Sequence, residues 1–251
     1  MKIAIITGAS SGVGTEFFKV LQKENNIDEI WIIARRYERL EQMAKESTIK
    51  VRPLPLDLTD EKCFEDFESI LQHEQPEIIT LINNAGFGKL GNFYDIDFKL
   101  QTQMIQLNNS ALTAMCAICV KYMKKDSYII NVASIAAFAP NPRMAAYCST
   151  KSFVLSFTKC IREELKSKKI NALAVCPGPM ATEFLDVAGI SGGKSITFEQ
   201  LPYCDPKKVA VGAIKYAKRG KAVYTPRSFY KLYRVLAKLL PHNLVMKFSK
   251  T

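Results

Sequence analysis

The chain has 251 residues, 48% of them hydrophobic and 24% charged, which are ordinary globular values and exclude disordered, repetitive and fibrous classes. Its formal net charge of +11 is unevenly placed: from Asp205 to Thr251 twelve Lys/Arg meet a single acid, so this segment holds the whole excess and the first 204 residues are neutral overall. There is no Pro/Gly/Ser-rich linker, no apolar run near the ~20 residues of a membrane span, and the apolar start ends at Thr7-Gly8, so one domain spanning 1–251 in a cytoplasmic, soluble protein is expected.

In chain order, short apolar runs alternate with helical patterns. The runs are 2–7, 28–34, 51–56, 77–82, 127–132, 170–175 and 221–225, each short and apolar on both faces as buried parallel strands are. Between them the periodicity predicts helices over 14–24, 38–45, 60–72, 99–124, 145–166 and 206–219. With right-handed crossovers this is an α/β fold: a doubly wound, Rossmann-like, seven-stranded parallel sheet with helices on both faces. Seven cysteines without a secretory address read as reduced thiols. Cys116 and Cys119 form a lone CxxC inside an apolar helical pattern and read as packing. His73 and His242 stand apart from other ligand types, so no metal is expected.

The first run enters TGASSGVG, which places Gly8, Ser10, Ser11, Gly12, Val13 and Gly14 in the turn opening the first helix. Glycine lets backbone approach a pyrophosphate, and a helix N-terminus supplies amide donors for it, although a plain strand-to-helix turn has the same look. A dinucleotide site also needs a ribose reader at the end of the second strand, where an acid selects NAD. Here Arg35 and Arg36 stand there instead, and a guanidinium suits a 2′-phosphate, so the expected cofactor is NADP(H). Asp57, with Leu58 beside it after the third strand, reads either as an adenine contact or as a helix cap in competition with Thr59 and Asp60.

Further along come NNAG (83–86), Ser134, Tyr147 four residues before Lys151, and PGP (177–179). Together with TGASSGVG, in this order and spacing, they resemble the short-chain dehydrogenase/reductase family, in its compact NADP(H)-preferring form, over residues 3 to about 182. The resemblance implies that Asn84, Ala85 and Gly86 support the adenine ribose, that Pro177, Gly178 and Thr182 border the nicotinamide, and that Tyr147 and Lys151 also touch the cofactor. It further implies a catalytic asparagine at Asn108, with Asn109 as its competitor. A homodimer or homotetramer formed through the 99–124 and 145–166 helices is the common family arrangement.

Chemical need supports the same residues. Reducing a carbonyl by hydride transfer requires a proton for the developing alkoxide and a donor on the same oxygen. Tyr147 is the candidate acid, and a phenol near pKa 10 needs a neighbouring cation to reach the working range. Lys151, one turn along the same helix face, supplies that cation, and Ser134 would hold the substrate oxygen.

Residues 183–203, interrupted by Gly189, Gly192 and Gly193, read as a substrate lid whose Phe and Leu side chains favour an apolar substrate or pack on their own body. In the basic C-terminal segment, 228–251, Phe229, Leu232, Tyr233, Leu236 and Leu239 or Leu240 recur at helical spacing with Lys231, Arg234 and Lys238 between them. This predicts a terminal helix that covers the core or a neighbouring subunit. Membrane contact is the less favoured reading, and nucleic acid is not expected as a partner because no reader motif accompanies the charge. The sequence therefore points to an NADP(H)-dependent oxidoreductase interconverting a small-molecule carbonyl and its alcohol. The alternatives are a peripheral-membrane reductase of lipid or steroid ketones and a non-catalytic nucleotide sensor of the same fold.

Overall fold

The structure, a computed structural model, describes residues 1–190 and 200–248. Its centre is one seven-stranded sheet, all parallel, in the order β3-β2-β1-β4-β5-β6-β7. The strands are β1 (Lys2–Thr7), β2 (Glu29–Ile33), β3 (Lys50–Leu54), β4 (Glu77–Asn83), β5 (Met123–Val132), β6 (Asn171–Val175) and β7 (Val223–Tyr224). Alternation along β1 feeds two cores. Ile3 and Ile5 join Trp31, Phe67, Leu71, Met115 and Val154 on one face, while Ala4 and Ile6 join Phe17, Leu21, Ile32, Ala213 and Ile214 on the other. The first core is roofed by α3 (Lys62–Glu74), α5 (Leu112–Cys119) and α6 (Ala145–Glu164), the second by α1 (Gly12–Leu21), α2 (Tyr37–Lys45) and α8 (Pro206–Lys218).

Because β1 pairs with β2 on one side and β4 on the other, the chain direction of winding reverses between β1 and β4. Ligands of open α/β sheets bind in the crevice that such a reversal leaves at the carboxyl ends of the strands.

The helix expected over 99–124 is not continuous. It divides into α4 (Phe98–Ile105), a π-helical stretch Gln106–Ala111, α5, and a last turn Val120–Tyr122, and Met123 already pairs with Ile78 in the sheet. The side chains of Asn108 and Asn109 bond sideways to Phe87 and Thr150, interactions that a hydrophobic period does not reveal. The seventh strand is two residues long rather than five, and Pro226, which lacks an amide, stops the ladder from extending at its C-terminal end. The 183–203 segment begins with α7 (Glu183–Ala188), and its residues 191–199, with Gly192 and Gly193, lie outside the described residues.

The C-terminal segment forms α9 (Ser228–Leu239) and α10 (His242–Phe248). Its apolar stripe, expected to cover the core or a neighbouring subunit, meets the body only in part. Tyr230 and Ala237 turn inward, whereas Phe229, Leu232, Leu236 and Leu240 remain exposed. The cause is a seat made by Gly178: a Cβ there would lie 2.2 Å from the Tyr230 ring, and the ring fills that space while its hydroxyl donates to Pro202 O at 2.8 Å. A fully buried aromatic ring with a satisfied hydroxyl outweighs the burial of scattered leucines.

Tyr230→Ala should therefore lower the unfolding free energy by about 3–5 kcal/mol, and Tyr230→Phe by about 1 kcal/mol, in a urea titration followed by circular dichroism. Unchanged midpoints in both variants would show that the C-terminal helices contribute nothing to the body.

Candidate active site

At the reversal point, the end of β1 and the end of β4 are tied together. Thr7 Oγ1 accepts the amides of Asn84 and Ala85 at 3.0 and 3.1 Å, and Asn84 Nδ2 donates to Gly8 O at 2.9 Å. Gly8 has φ +63°, and a Cβ on it would sit 2.8 Å from the Ala85 backbone, so no other residue fits this crossing. Gly14 packs behind the turn, where a Cβ would lie 2.1 Å from Gly8 O. Ser11 caps α1 without a side-chain bond to its amides, and Ser11, Gly12 and Val13 line the cleft. Open first-turn amides beside a glycine of φ +55° make a cradle that accepts a phosphate group.

Arg35 and Arg36 reach the same cleft. The Arg36 guanidinium donates to Ser10 Oγ at 3.2 and 3.3 Å and to Glu183 Oε2 at 2.8 Å. Arg39 donates to Glu183 Oε1 at 2.6 Å. One carboxylate thus bridges two guanidiniums, and the bonds from Arg39 and then Arg36 hold Glu183 below the usual carboxylate range. Arg39 and Glu183 were not anticipated from sequence. The available signals were the i,i+3 spacing of Arg36 and Arg39 at the start of α2 and the position of Glu183 next to Thr182. Asp57 is not the cap of α3: its carboxylate accepts from the Thr59 amide and hydroxyl, closing a turn one step earlier, while Asp57 and Leu58 border the cleft.

The other half of the cleft gathers Ser134, Tyr147 and Lys151. Ser134 caps a single 3₁₀ turn and accepts the Ala136 amide at 3.1 Å, which orients its hydroxyl. Tyr147 and Lys151 share one face of α6. The Lys151 ammonium lies 5.8 Å from the Tyr147 ring centre and donates to Val132 O at 2.9 Å. Both groups are almost fully buried, and burial dominates their titration. It pushes the Tyr147 phenol above its ordinary value of 10, with a hydrogen bond to Ser134 opposing, and pushes Lys151 down to about 8. Desolvation of the phenolate is the main cause of the upward shift at Tyr147.

Asn108 lies one layer below the cleft rather than in it. Its side chain bonds both the amide and the carbonyl of Phe87, at 3.0 and 2.9 Å, and Thr150 Oγ1 at 3.0 Å, while Asn109 bonds Thr150 O. A Cβ on Gly86 would meet Asn108 Oδ1 at 2.7 Å and Lys151 Nζ at 3.5 Å, so Asn108 sets the floor against which Lys151 is held. Of the residues singled out from sequence, Asn108, its competitor Asn109, Asp60 and Gly14 do not line the cleft. Ala85, Gly86, Pro177, Gly178 and Thr182 do.

The cleft measures about 840 Å³. Beyond Ser134 and Tyr147 its wall is apolar, with Met144, Leu185, Leu236 and Val245, and Phe184 packs on the Tyr147 ring at 5.6 Å between centres. The contribution of α9 and α10 to this wall had no sequence signal, since it depends on the seat at Gly178. Cys116 and Cys119 are buried away from the cleft, and burial raises both thiols, Cys116 to about 12, which leaves them inert at neutral pH.

A family model described as short chain dehydrogenase matches residues 2–189. An NADP-dependent 3-hydroxy acid dehydrogenase of Schizosaccharomyces pombe is 35% identical over 191 residues, covering 73% of each chain. Among solved structures, a short-chain dehydrogenase from Sphingobium yanoikuyae in complex with NADPH superposes with a TM-score of 0.81 at 27% identity, covering 98% of this chain and 96% of its own. A bulky-bulky ketone specific alcohol dehydrogenase from Comamonas testosteroni gives 0.76 at 25% identity, covering 98% and 94%.

Proposed function

The chain belongs to the short-chain dehydrogenase family, and from that premise we propose that this oxidoreductase is an NADP(H)-linked carbonyl reductase of a bulky, apolar ketone or aldehyde. The observation that carries this reading is a buried Tyr147 kept in its proton-donating form beside Ser134, facing an apolar wall. The NADPH-bound relative and the bulky-ketone relative support it.

The residues present fit the cofactor. Gly8 and Gly12 leave room for backbone approach, the α1 amides would accept a pyrophosphate, and the convergence of Arg36 and Arg39 on the Glu183 carboxylate supports an anion-binding position there. When bound, the reduced nicotinamide supplies the hydride. Ser134 positions the substrate oxygen through its oriented hydroxyl, and Tyr147 delivers a proton to that oxygen as charge develops on it. Lys151 then stabilises the resulting phenolate, and its hold on Val132 O keeps the ammonium on that side of the ring. Asn108 is a positioning residue that acts through Gly86 and Phe87. Phe184 and the apolar wall exclude water from the reacting oxygen, which strengthens each of these interactions.

Three outcomes check the reading. In a carbonyl panel with NADPH oxidation as readout, bulky apolar ketones should turn over best, and Tyr147→Phe should lower kcat by about 10²–10⁴-fold with NADPH binding intact. Near-normal turnover in that variant would remove Tyr147 as the acid.

The pH profile follows from the two buried groups. Tyr147 stays protonated across the neutral range, and Lys151 is charged below about 8 and neutral above it. Reductive kcat/KM should be flat below neutrality and fall through an inflection near 8, while the reverse oxidation, which needs the phenolate, should still be rising at the alkaline end. A reductive profile that rises with pH would contradict the assignment.

For the cofactor, Glu183 competes with a 2′-phosphate for Arg36 and Arg39. Arg36→Ala should weaken NADPH binding by about tenfold and leave NADH binding nearly unchanged, and Glu183→Gln should tighten NADPH binding, both read by equilibrium nucleotide fluorescence. Equal affinities for NADPH and NADH in the unmodified protein would overturn the NADP(H) preference.

A further inference from the structure

Helix α9 has two apolar faces. The inward one, Tyr230, Tyr233 and Ala237, completes the body. The outward one is Phe229, Leu232, Val235, Leu236 and Leu239, which at 3.6 residues per turn share an arc of about 120°. These side chains are far from covered: Phe229 is 54% exposed, Leu232 60% and Leu239 74%, and Leu240 and Leu244 continue the strip past the helix end. Lys231 and Lys238 border the arc, and Arg227 and Lys247 stand at its ends. The lone acid after residue 204 is Asp205, which is engaged as the N-cap of α8. Among the described residues, Lys218 is the one basic side chain of this segment in an ion pair, with Glu24.

The strip runs into the cleft. Phe229, Leu236 and Leu240 are exposed and also line it, as does Val187 of α7, itself 54% exposed. The mouth of the apolar half of the cleft is therefore rimmed by uncovered apolar side chains with unpaired positive charge beside them.

We propose that this face seats the protein on an anionic bilayer surface, with α9 lying in the headgroup boundary and the cleft mouth opening toward the lipid. The apolar arc matches the acyl region and the lysines match anionic headgroups, which is the arrangement of an interfacial helix. At about 18 Å, α9 is too short to cross, and no helix among the described residues is long and apolar enough to do so. Charge decides against a second copy of the chain. An isologous pair would set Lys231 and Lys238 of one α9 against those of another, with no acid in α9 or α10 to offset them. A nucleic acid would neutralise the lysines but leave Leu232 and Leu239 in water. That an apolar substrate enters from the lipid side rests on the reductase reading above, whereas the docking itself does not.

Co-sedimentation of the full chain with phosphatidylcholine vesicles, with and without phosphatidylglycerol, at low and high salt tests the proposal. Binding should be about tenfold stronger with the anionic lipid and weaken with salt, as charges are screened over about 8 Å at physiological strength. The double variant Leu232→Ser/Leu239→Ser should lose binding at every salt concentration. It should keep its circular dichroism and its turnover of a water-soluble ketone, since neither residue lines the cleft. Lys231→Gln/Lys238→Gln should lose the preference for anionic lipid. Failure of the unmodified protein to bind vesicles, or binding indifferent to the leucine substitutions, overturns the proposal. So does a dimer in analytical ultracentrifugation that the leucine variant abolishes while vesicle binding is absent. Vesicle binding without turnover of any carbonyl would count against the reductase reading and leave the docking surface standing.

Discussion

The site depends on one crossing: Thr7 and Gly8 at the end of β1 bonded to Asn84 and Ala85 at the end of β4. The sheet reverses its winding here, so the two loops diverge and leave a crevice that no connection covers. The Thr7 hydroxyl accepts two amides at once and the Asn84 side chain reaches two carbonyls, which fixes the separation of the loops to within a hydrogen bond. Gly8 and Gly14 complete the join by having no side chain. The phosphate cradle is one consequence. The other lies on the far side of Ala85, where Gly86 leaves the gap in which Asn108 and Lys151 approach one another.

The chemical half is governed by burial. Removing a phenol and an ammonium from water disfavours both charged forms, so the phenol keeps its proton and the lysine binds its own less tightly. An acid in this state suits donation to an oxygen on which charge is growing. A neighbouring cation would stabilise the phenolate left behind. The hydrogen bond from Lys151 to Val132 O and the packing of Phe184 on the Tyr147 ring hold this balance by restricting water and motion together.

Much of this was legible in the sequence because the relevant constraints are local. Parallel strands buried on both faces show as short apolar runs, a glycine turn shows as glycines, and Tyr147 with Lys151 shows as one helical turn. Constraints between distant segments were less visible. The π-helical stretch at Gln106–Ala111 carries side-chain bonds to Phe87 and Thr150, some 20 and 40 residues away, while the hydrophobic period runs through it unchanged. Glu183 bridges Arg36 and Arg39 across more than 140 residues, and nothing in the local pattern of either segment marks the other. The inward face of α9 is hidden from the sequence for the same reason, since the Tyr230 ring follows the space above Gly178 and not the densest run of leucines.

That displaced face connects the fold to the surface. Seating Tyr230 over Gly178 brings α9 against the loop that borders the cleft, so Leu236, Ala237 and Val245 become part of its wall. The same rotation turns Leu232 and Leu239 outward. A helix held by its leucine stripe would have hidden the stripe and left the cleft shallower and open to water. As built, a single aromatic contact both deepens the apolar half of the site and leaves an apolar rim around its mouth. Of the positive charge after residue 204, Lys231 and Lys238 stand beside that rim on α9, while Lys207, Lys208, Lys215 and Lys218 lie on α8. The side chains that would meet a lipid surface are continuous with those that would meet the substrate, because Phe229, Leu236 and Leu240 are exposed and also line the cleft.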